Sequence, residues 1–441
     1  MLIEKDLKYI WHPYTQMKDT ETLPPILIER ARGVKLYDSK GNVYYDTISS
    51  WWCNVHGHCH PKIKNVIKNQ IEKLDHILFA GFTHKNAISL GERLLKITNL
   101  SRVFFSDNGS TSIETALKMS FQYWKNLGNK EKTKFLSLDR GYHGDTIGAM
   151  SVGGVFNEVF KPLLFNSYKV SSPYCYRCPR GFSRKSCNIS CIEDMEEVLM
   201  KNSEKICAVI IEPLVLGAGG MIVYPKEYLE ILGRLCKRYN VHLILDEVAT
   251  GFGRTGRMFA YQWTNILPDF LCISKGITSG WLPLGATLTT NEIYQAFYGD
   301  YEKTFFHGHT YTANPISTRV ALESLNIFEE EKTLEKIKPL ISLFHKNLEK
   351  FRNLSIVGDV RYIGMIGAIE LVEDKKTKRP FPPSCRIGYE VYKKGLKKGL
   401  ILRPLNDVLY LFPSLSIKED ELLYILDTTY HILKDFRIGS P

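Results

Sequence analysis

Asp246 closes the run Val241-His242-Leu243-Ile244-Leu245-Asp246, and Lys275 follows the run Phe270-Leu271-Cys272-Ile273-Ser274. Each run is short, apolar, rich in β-branched residues and bounded by polar or Gly positions, the pattern of a buried parallel strand. A carboxylate and an amine at the carboxyl ends of neighbouring strands face one crevice, where open α/β sheets bind ligands. Pyridoxal phosphate needs both groups: a lysine to form a Schiff base, and an acid to keep the pyridine nitrogen protonated so that the ring accepts electrons. A buried aspartate beside a surface lysine that ends a strand gives the same pattern, so the rest of the chain must decide.

Two further segments offer polar groups to a phosphate or a ring. Val103-Phe104-Phe105-Ser106 reads as a strand, and Asp107-Asn108-Gly109-Ser110-Thr111-Ser112 leads from it into a helix with apolar residues at Ile113, Ala116, Leu117, Phe121 and Trp124. Gly109 permits a tight turn, and the free N–H groups at such a helix start, with Ser110, suit an anion. An ordinary Ser/Thr cap without a ligand is the alternative. Tyr142, in Tyr142-His143-Gly144-Asp145 after a strand near Leu138, could stack on a cofactor ring or simply pack in the core. The loop Phe306-His307-Gly308-His309-Thr310-Tyr311 adds a glycine and a hydroxyl able to bind a second phosphate edge, or forms a plain turn.

Those side chains need a scaffold, and the pattern supplies one. Gly41-Asn42 between Val34–Asp38 and Val43–Asp46 is a hairpin signal. From about His60 to Arg319, helical patterns alternate with strand-like runs such as Lys134–Leu138 and Ala208–Ile211, which predicts a mainly parallel sheet covered by helices. Beyond Ala321 one long charged helix, Leu322 to Arg352, leads into strands at Gly367–Leu371 and Val408–Phe412, an α+β pattern. The expected division is residues 1–60 as an N-terminal segment packing with the small domain, 61–320 as the large domain, and 321–441 as the small domain.

The 441 residues carry a net charge of +11, but the 58 Lys and Arg are spread along the chain among 47 acidic residues. A nucleic-acid partner would call for a basic stripe or arm, which is absent. No apolar run approaches the ~20 residues of a membrane helix, and the start Met1-Leu2-Ile3-Glu4-Lys5-Asp6 lacks the order of a signal peptide. A cytoplasmic enzyme is expected. Four of the ten cysteines cluster as Cys175, Cys178, Cys187 and Cys191. Two close pairs suggest zinc, but the gap between them is shorter than in common zinc ribbons, and inert loop thiols are the preferred reading. No metal is expected in catalysis.

Taken together, Asp107–Ser110, Gly141-Tyr142-His143-Gly144, Ile211-Glu212-Pro213, Leu245–Gly256 and Ser274-Lys275-Gly276 resemble the class III aminotransferases of the pyridoxal-phosphate-dependent transferase fold type I. The resemblance runs in order across almost the whole chain. It implies an α/β large domain and a smaller α+β domain built from both termini. His12-Pro13-Tyr14-Thr15, Ser49-Ser50-Trp51-Trp52, Tyr142–Thr146 and Arg403-Pro404-Leu405 look like the biotin-synthesis branch of that class. That branch implies a two-stage transfer of an amino group to 8-amino-7-oxononanoate, giving 7,8-diaminononanoate.

The same resemblance implies roles. Lys275 would be the Schiff-base lysine, Asp246 the partner of the pyridine nitrogen and Tyr142 a catalytic ring neighbour. Gly109 and Ser110 would hold the phosphate, while His309 and Thr310 would reach the phosphate of a partner subunit's cofactor in a homodimer with shared active sites. Tyr14, Trp51, Tyr142, Lys275, Gly308 and Arg403 would contact small-molecule substrates. S-adenosyl-L-methionine is the expected amino donor, with L-lysine as the alternative. Trp51-Trp52 favours S-adenosylmethionine, and the His307-Gly308-His309 loop, with Asn54–His58, favours lysine. A general ω-aminotransferase of ornithine or 4-aminobutyrate type is the rival enzyme, and an idle binding protein on the same fold is the rival outside catalysis.

Overall fold

The computed structural model describes residues 2–437, so the last four residues of the expected C-terminal unit, and Met1, lie outside the described residues. Its centre is a seven-stranded sheet in the order Arg102–Ser106, Gly285–Thr289, Phe270–Ile273, His242–Asp246, Ile206–Ile211, Lys134–Leu138, Tyr168–Val170. Gly285–Thr289 runs antiparallel to both neighbours, and the remaining pairings are parallel, as the alternating pattern predicts. Ile206–Ile211, His242–Asp246 and Phe270–Ile273 are buried along their whole length, which explains their unbroken apolar character.

Register then fixes the chemistry. Asp246 pairs with Cys272 across the parallel ladder, and Lys275 lies three residues beyond it, so both leave the sheet at the same edge. Helix Gly109–Asn126 crosses the sheet on Ile113, Ala116, Leu117, Tyr123 and Trp124. Phe121, expected on that face, is only half-buried.

The N-terminal hairpin forms as the Gly41-Asn42 signal predicts, with Lys35 opposite Tyr45. The Asp38 carboxylate accepts the N–H groups of Lys40 and Asn42, at 2.9 and 2.8 Å, and so fixes the turn. This segment is stitched to the chain's other end. Tyr45 donates to the Gly399 carbonyl and accepts from Ile401, Phe412 donates to Thr47, and the Thr47 hydroxyl donates to Ile401. Val357–Ile363, Ile366–Leu371 and Val408–Leu411 make a separate antiparallel sheet beside it.

One expectation fails. The single long helix over Leu322 to Arg352 is two helices, Pro315–Glu330 and Thr333–Glu349, followed by a 3-10 turn over Lys350–Asn353. The break sits at Lys332, whose φ of 49° is left-handed and reverses the chain without a glycine or proline to announce it. Among the described residues no helix is long and apolar enough to cross a membrane.

Candidate active site

Two connected cavities open at the carboxyl edge of the sheet. The smaller, about 650 Å³, is walled by Asp246, Lys275, Gly109, Ser110, Tyr142 and Glu212, among others. The larger, about 1720 Å³, shares Trp52, Cys53, Tyr142, Asp145 and Lys275 with it and extends to Tyr14, Trp51, Phe156 and Arg403. Most residues singled out in the sequence therefore converge on one place.

Asp246 is buried at the floor of the smaller cavity. One carboxylate oxygen accepts the Val248 N–H at 3.0 Å, and the other lies 2.8 Å from His143 Nδ1. Lys275 has a φ of 46°, a left-handed backbone that aims its side chain away from the strand direction. Its Nζ sits 4.5 Å above the Trp52 ring centre. Burial lowers the pKa of this amine, and the charges of Asp246 and Glu212 oppose that only in part. A lysine held in this way reaches its neutral, proton-accepting form more readily than a surface lysine.

Helix Gly109–Asn126 starts with a reciprocal cap. The Asn108 side chain accepts the Thr111 N–H at 3.0 Å, and the Thr111 hydroxyl accepts the Asn108 N–H at 2.9 Å. The cap is thus Asn108 rather than Ser110, which leaves the first-turn amides of Gly109 and Ser110 for an anion. Gly109 has no room for a side chain: a Cβ there would lie 2.7 Å from Val248 Cγ1. Gly144 is equally closed, since its Cβ would sit 2.1 Å from Ser110 Oγ. An amine, a buried carboxylate and a glycine-lined helix start together fit pyridoxal phosphate.

The larger cavity is aromatic with a charged rim. Trp51 meets the edge of Tyr14 at 5.7 Å, Tyr14 meets Phe156 at 5.6 Å, and Phe156 meets Tyr142 at 6.2 Å. The Arg403 guanidinium lies 4.4 Å over the Trp51 ring, and one terminal nitrogen donates a long hydrogen bond to the Tyr14 carbonyl at 3.5 Å. The Tyr14 hydroxyl donates to Asp145 at 2.8 Å. Burial, with the Asp145 charge adding to it, pushes the Tyr14 phenol up to about 12.

Trp51 and Trp52 stand on an unusual backbone. Ser49, Ser50, Trp51 and Trp52 have φ values of 52°, 46°, 72° and 75°, a left-handed turn with no glycine in it. L-residues pay roughly 1–2 kcal/mol each for this conformation. Bonds from distant parts of the chain hold it. Ser49 Oγ donates to the Phe412 carbonyl at 2.7 Å. The buried Arg254 donates to the carbonyls of Trp52 and Asn54, at 3.2 and 3.0 Å.

Several participants escaped the sequence reading. Glu212 is a buried carboxylate that accepts the N–H groups of Tyr142 and Gly217, at 3.0 and 2.8 Å, and burial raises its pKa. His143, Asp145 and Phe156 also line or support the site. Glu212, His143 and Asp145 lie inside motifs quoted for the family resemblance, but a motif does not say where a side chain points.

Gly308, His309 and Thr310 are not brought to this place within one chain. Gly308 and Thr310 are exposed, the half-buried His309 packs edge-on against His307 at 5.0 Å, and His307 reaches Thr115 of the helix at 3.2 Å. The four clustered cysteines are free thiols in a loop away from Lys275. Among the described residues no group of three or more His, Cys, Asp or Glu is arranged to hold a metal ion.

Comparison with known proteins agrees with this geometry. The model of the aminotransferase class-III family matches residues 16–433. The adenosylmethionine-8-amino-7-oxononanoate aminotransferase of Methanocaldococcus jannaschii is 46% identical, with 98% of each chain covered. The enzyme of that name from Geobacter sulfurreducens is 45% identical, with 96% of this chain and 95% of that one covered. The crystal structure of the Methanocaldococcus enzyme superposes with a TM-score of 0.93 over 98% of both chains. An ω-transaminase from Pseudomonas jessenii, solved in complex with PMP, is 32% identical with a TM-score of 0.93, over 99% of this chain and 98% of that one. With a family match across nearly its full length and the lysine, carboxylate and glycine-lined helix start in one cavity, this chain belongs to the class III aminotransferases.

Proposed function

We propose that this chain transfers an amino group to 8-amino-7-oxononanoate, giving 7,8-diaminononanoate for biotin synthesis, with S-adenosyl-L-methionine as donor. One observation carries the reading: an aromatic cavity runs from Lys275 to an arginine stacked on Trp51. The acceptor is a long aliphatic acid with a ketone beside an amine at its far end. Trp51, Tyr14 and Phe156 would cover the chain and exclude water, while Arg403 would take the carboxylate as a bidentate fork. The cavity of about 1720 Å³ also suits a bulky sulfonium nucleoside, which is far larger than lysine. The names of the relatives agree with this donor and acceptor.

Pyridoxal phosphate, when bound, supplies an electron-accepting ring that stores the amino group between the two halves of the reaction. The residues around it do the rest. Gly109 and Ser110 would hold the phosphate by their amides, and Tyr142 would lie against the ring. Asp246, oriented by His143 and the Val248 N–H, would keep the proton on the ring nitrogen. Lys275, with its lowered pKa, would accept the proton from the reacting substrate carbon and return it, acting first as base and then as acid. Tyr14, tied to Asp145, would orient the substrate amine.

The active unit in this reading is a homodimer, in which His309 and Thr310 of one subunit complete the cofactor site of the other and Gly308 reaches its substrate. The support is that these residues lie outside the walls of both cavities in their own chain, while their neighbours Phe306 and Tyr311 are large and exposed. We also read residues 1–60 and 321–441 as one small unit beside a large unit of 61–320, supported by the stitching of Tyr45 and Thr47 to Gly399–Phe412.

Mixing the cofactor-loaded enzyme with each donor alone, without acceptor, tests the assignment. S-adenosylmethionine should bleach the visible cofactor absorbance and lysine should not, and subsequent addition of 8-amino-7-oxononanoate should restore it. Bleaching by lysine alone would overturn the donor, and failure of the keto acid to restore the absorbance would overturn the acceptor.

A further inference from the structure

The left-handed turn at Ser49–Trp52 has an anchor that touches neither cavity. Asp46 is buried beneath it. One of its carboxylate oxygens accepts the Ser50 N–H at 2.9 Å, and the other accepts the Ser50 hydroxyl at 2.7 Å. That second oxygen also lies 2.8 Å from His58 Nε2. His58 is itself fixed by a two-way backbone pairing with Gly33, N to O at 2.7 and 3.1 Å. Neither Asp46 nor His58 lines the cavity at whose wall Trp51 stands.

Nothing in Ser49-Ser50-Trp51-Trp52 favours a left-handed backbone, which Gly, Asn or Asp would adopt more readily. The conformation is therefore imposed from outside, and at Ser50 the Asp46 carboxylate imposes it through both the main chain and the side chain. A residue in this conformation projects its side chain in a direction no extended or right-handed residue at that point would give. Release of Ser50 would let the turn relax and carry the Trp51 indole away from Arg403 and Tyr14.

We infer that Asp46, braced by His58, is a positioning residue that sets the Trp51 wall of the substrate cavity and thereby the affinity for substrate. The inference rests on the proposed role of Trp51 in lining that cavity. Trp51 lines only the larger cavity, whereas Asp246, Gly109 and Ser110 line only the smaller one, so substrate binding and cofactor binding should respond differently.

The test is a double-mutant cycle on the cofactor-loaded enzyme, reading the KM for 8-amino-7-oxononanoate, kcat and the dissociation constant of pyridoxal phosphate. Asp46→Ala and Trp51→Ala should each raise KM about tenfold, with kcat and cofactor affinity changed less than about threefold. The double variant should be no worse than Trp51→Ala alone, because Asp46 acts through Trp51. Asp46→Asn should recover most of the affinity, since an amide can accept the Ser50 N–H and donate to a neutral His58. Additive losses, or an Asp46→Ala effect on cofactor affinity with KM unchanged, would overturn the inference. If Trp51→Ala leaves KM unchanged, the substrate-wall reading fails and the inference falls with it. If Trp51→Ala raises KM and Asp46→Ala does not, the inference fails alone. Should Asp46→Ala not fold, the same cycle with His58→Ala, which removes only the brace, gives the same contrast: a KM rise that vanishes in the Trp51→Ala background supports the inference, and an unchanged KM overturns it.

Discussion

His143 Nδ1 lies 2.8 Å from Asp246 Oδ2, and both side chains are buried at the floor of the smaller cavity. The imidazole comes from the loop after Lys134–Leu138 and the carboxylate from the end of His242–Asp246, two strands separated by Ile206–Ile211. The contact ties one carboxylate oxygen to a second strand-end loop, while the Val248 N–H holds the other.

We expect Asp246→Asn to leave the fold intact and to cut kcat by several orders of magnitude, since a neutral amide cannot keep a ring nitrogen protonated. His143→Ala should be milder. It removes one charge-assisted hydrogen bond of about 1.5–3 kcal/mol, corresponding to roughly a 10- to 150-fold loss. Single-turnover kinetics on both variants check the order, and a His143 variant as damaged as the Asp246 variant would contradict it.

Gly109→Ala should weaken cofactor binding more than it weakens the fold. The new Cβ would meet Val248 Cγ1 at 2.7 Å, and Val248 is a stiff β-branched residue that has to shift. Overpacking of this kind costs about 1–3 kcal/mol, which predicts a 5- to 150-fold rise in the dissociation constant of pyridoxal phosphate, measured by titration of the cofactor-free protein.

Glu247 gives a pH-dependent stability with a definite sign. It is buried, accepts from Thr250 Oγ1, Ala260 N and Tyr261 N, and burial pushes its pKa up to about 7 from an ordinary 4.5. Between those values the folded state holds the proton more tightly than the unfolded state, so stability falls as pH rises through this window. Glu212, raised by the same cause, acts in the same direction. Asp46 has a lowered pKa and acts only below pH 3.8, where stability is lost on acidification. His56, His242 and His307, whose pKa burial lowers from 6.5, act in the opposite sense over the same range, so the Glu247 contribution is read as a difference: the urea midpoint of the wild type should fall relative to that of Glu247→Gln from about pH 5 to pH 7.

The four clustered cysteines should prove dispensable. The loop that carries them is held by other means: Arg177 pairs with Glu370 at 2.7 Å, and Arg180 pairs with Glu193 and Asp194, at 2.9 and 2.6 Å. Turnover of the double variant Cys178→Ser, Cys187→Ser should stay within about twofold of wild type, because these half-buried thiols line neither cavity. Metal analysis of protein purified without added metal completes the test, and stoichiometric zinc whose removal abolishes activity would contradict dispensability.

The positions of Asp246 and Lys275 were legible because a buried strand is a one-dimensional signal: an apolar run ends, and the next polar residue stands at the sheet edge. The helix start at Gly109 was legible for the same reason. The identity of its cap was not, since Asn108, Ser110 and Thr111 are all good capping residues and only geometry chooses among them. Phe156 reaches Tyr14 and Tyr142 from a loop with no periodic pattern. The turn at Ser49–Trp52 was illegible in principle, because its conformation is written in Asp46, Arg254 and Phe412 rather than in its own residues. The break at Lys332 belongs to the same class, a left-handed residue without the glycine that usually marks one.

The stitching of the chain's two ends bears on how such an enzyme can change over generations. Thr47 and Ser49, which lead into the Trp51 turn, bond to Ile401 and Phe412, and Arg403 stacks on Trp51 from that same stretch. Lys275 and Asp246, by contrast, take their places from strand pairings inside the central sheet. A substitution at Arg403 reshapes the substrate wall without touching the strand pairings that place the lysine and the carboxylate. Preference among amines can thus drift by point mutation at one end of the chain while the bond-making apparatus is inherited unchanged.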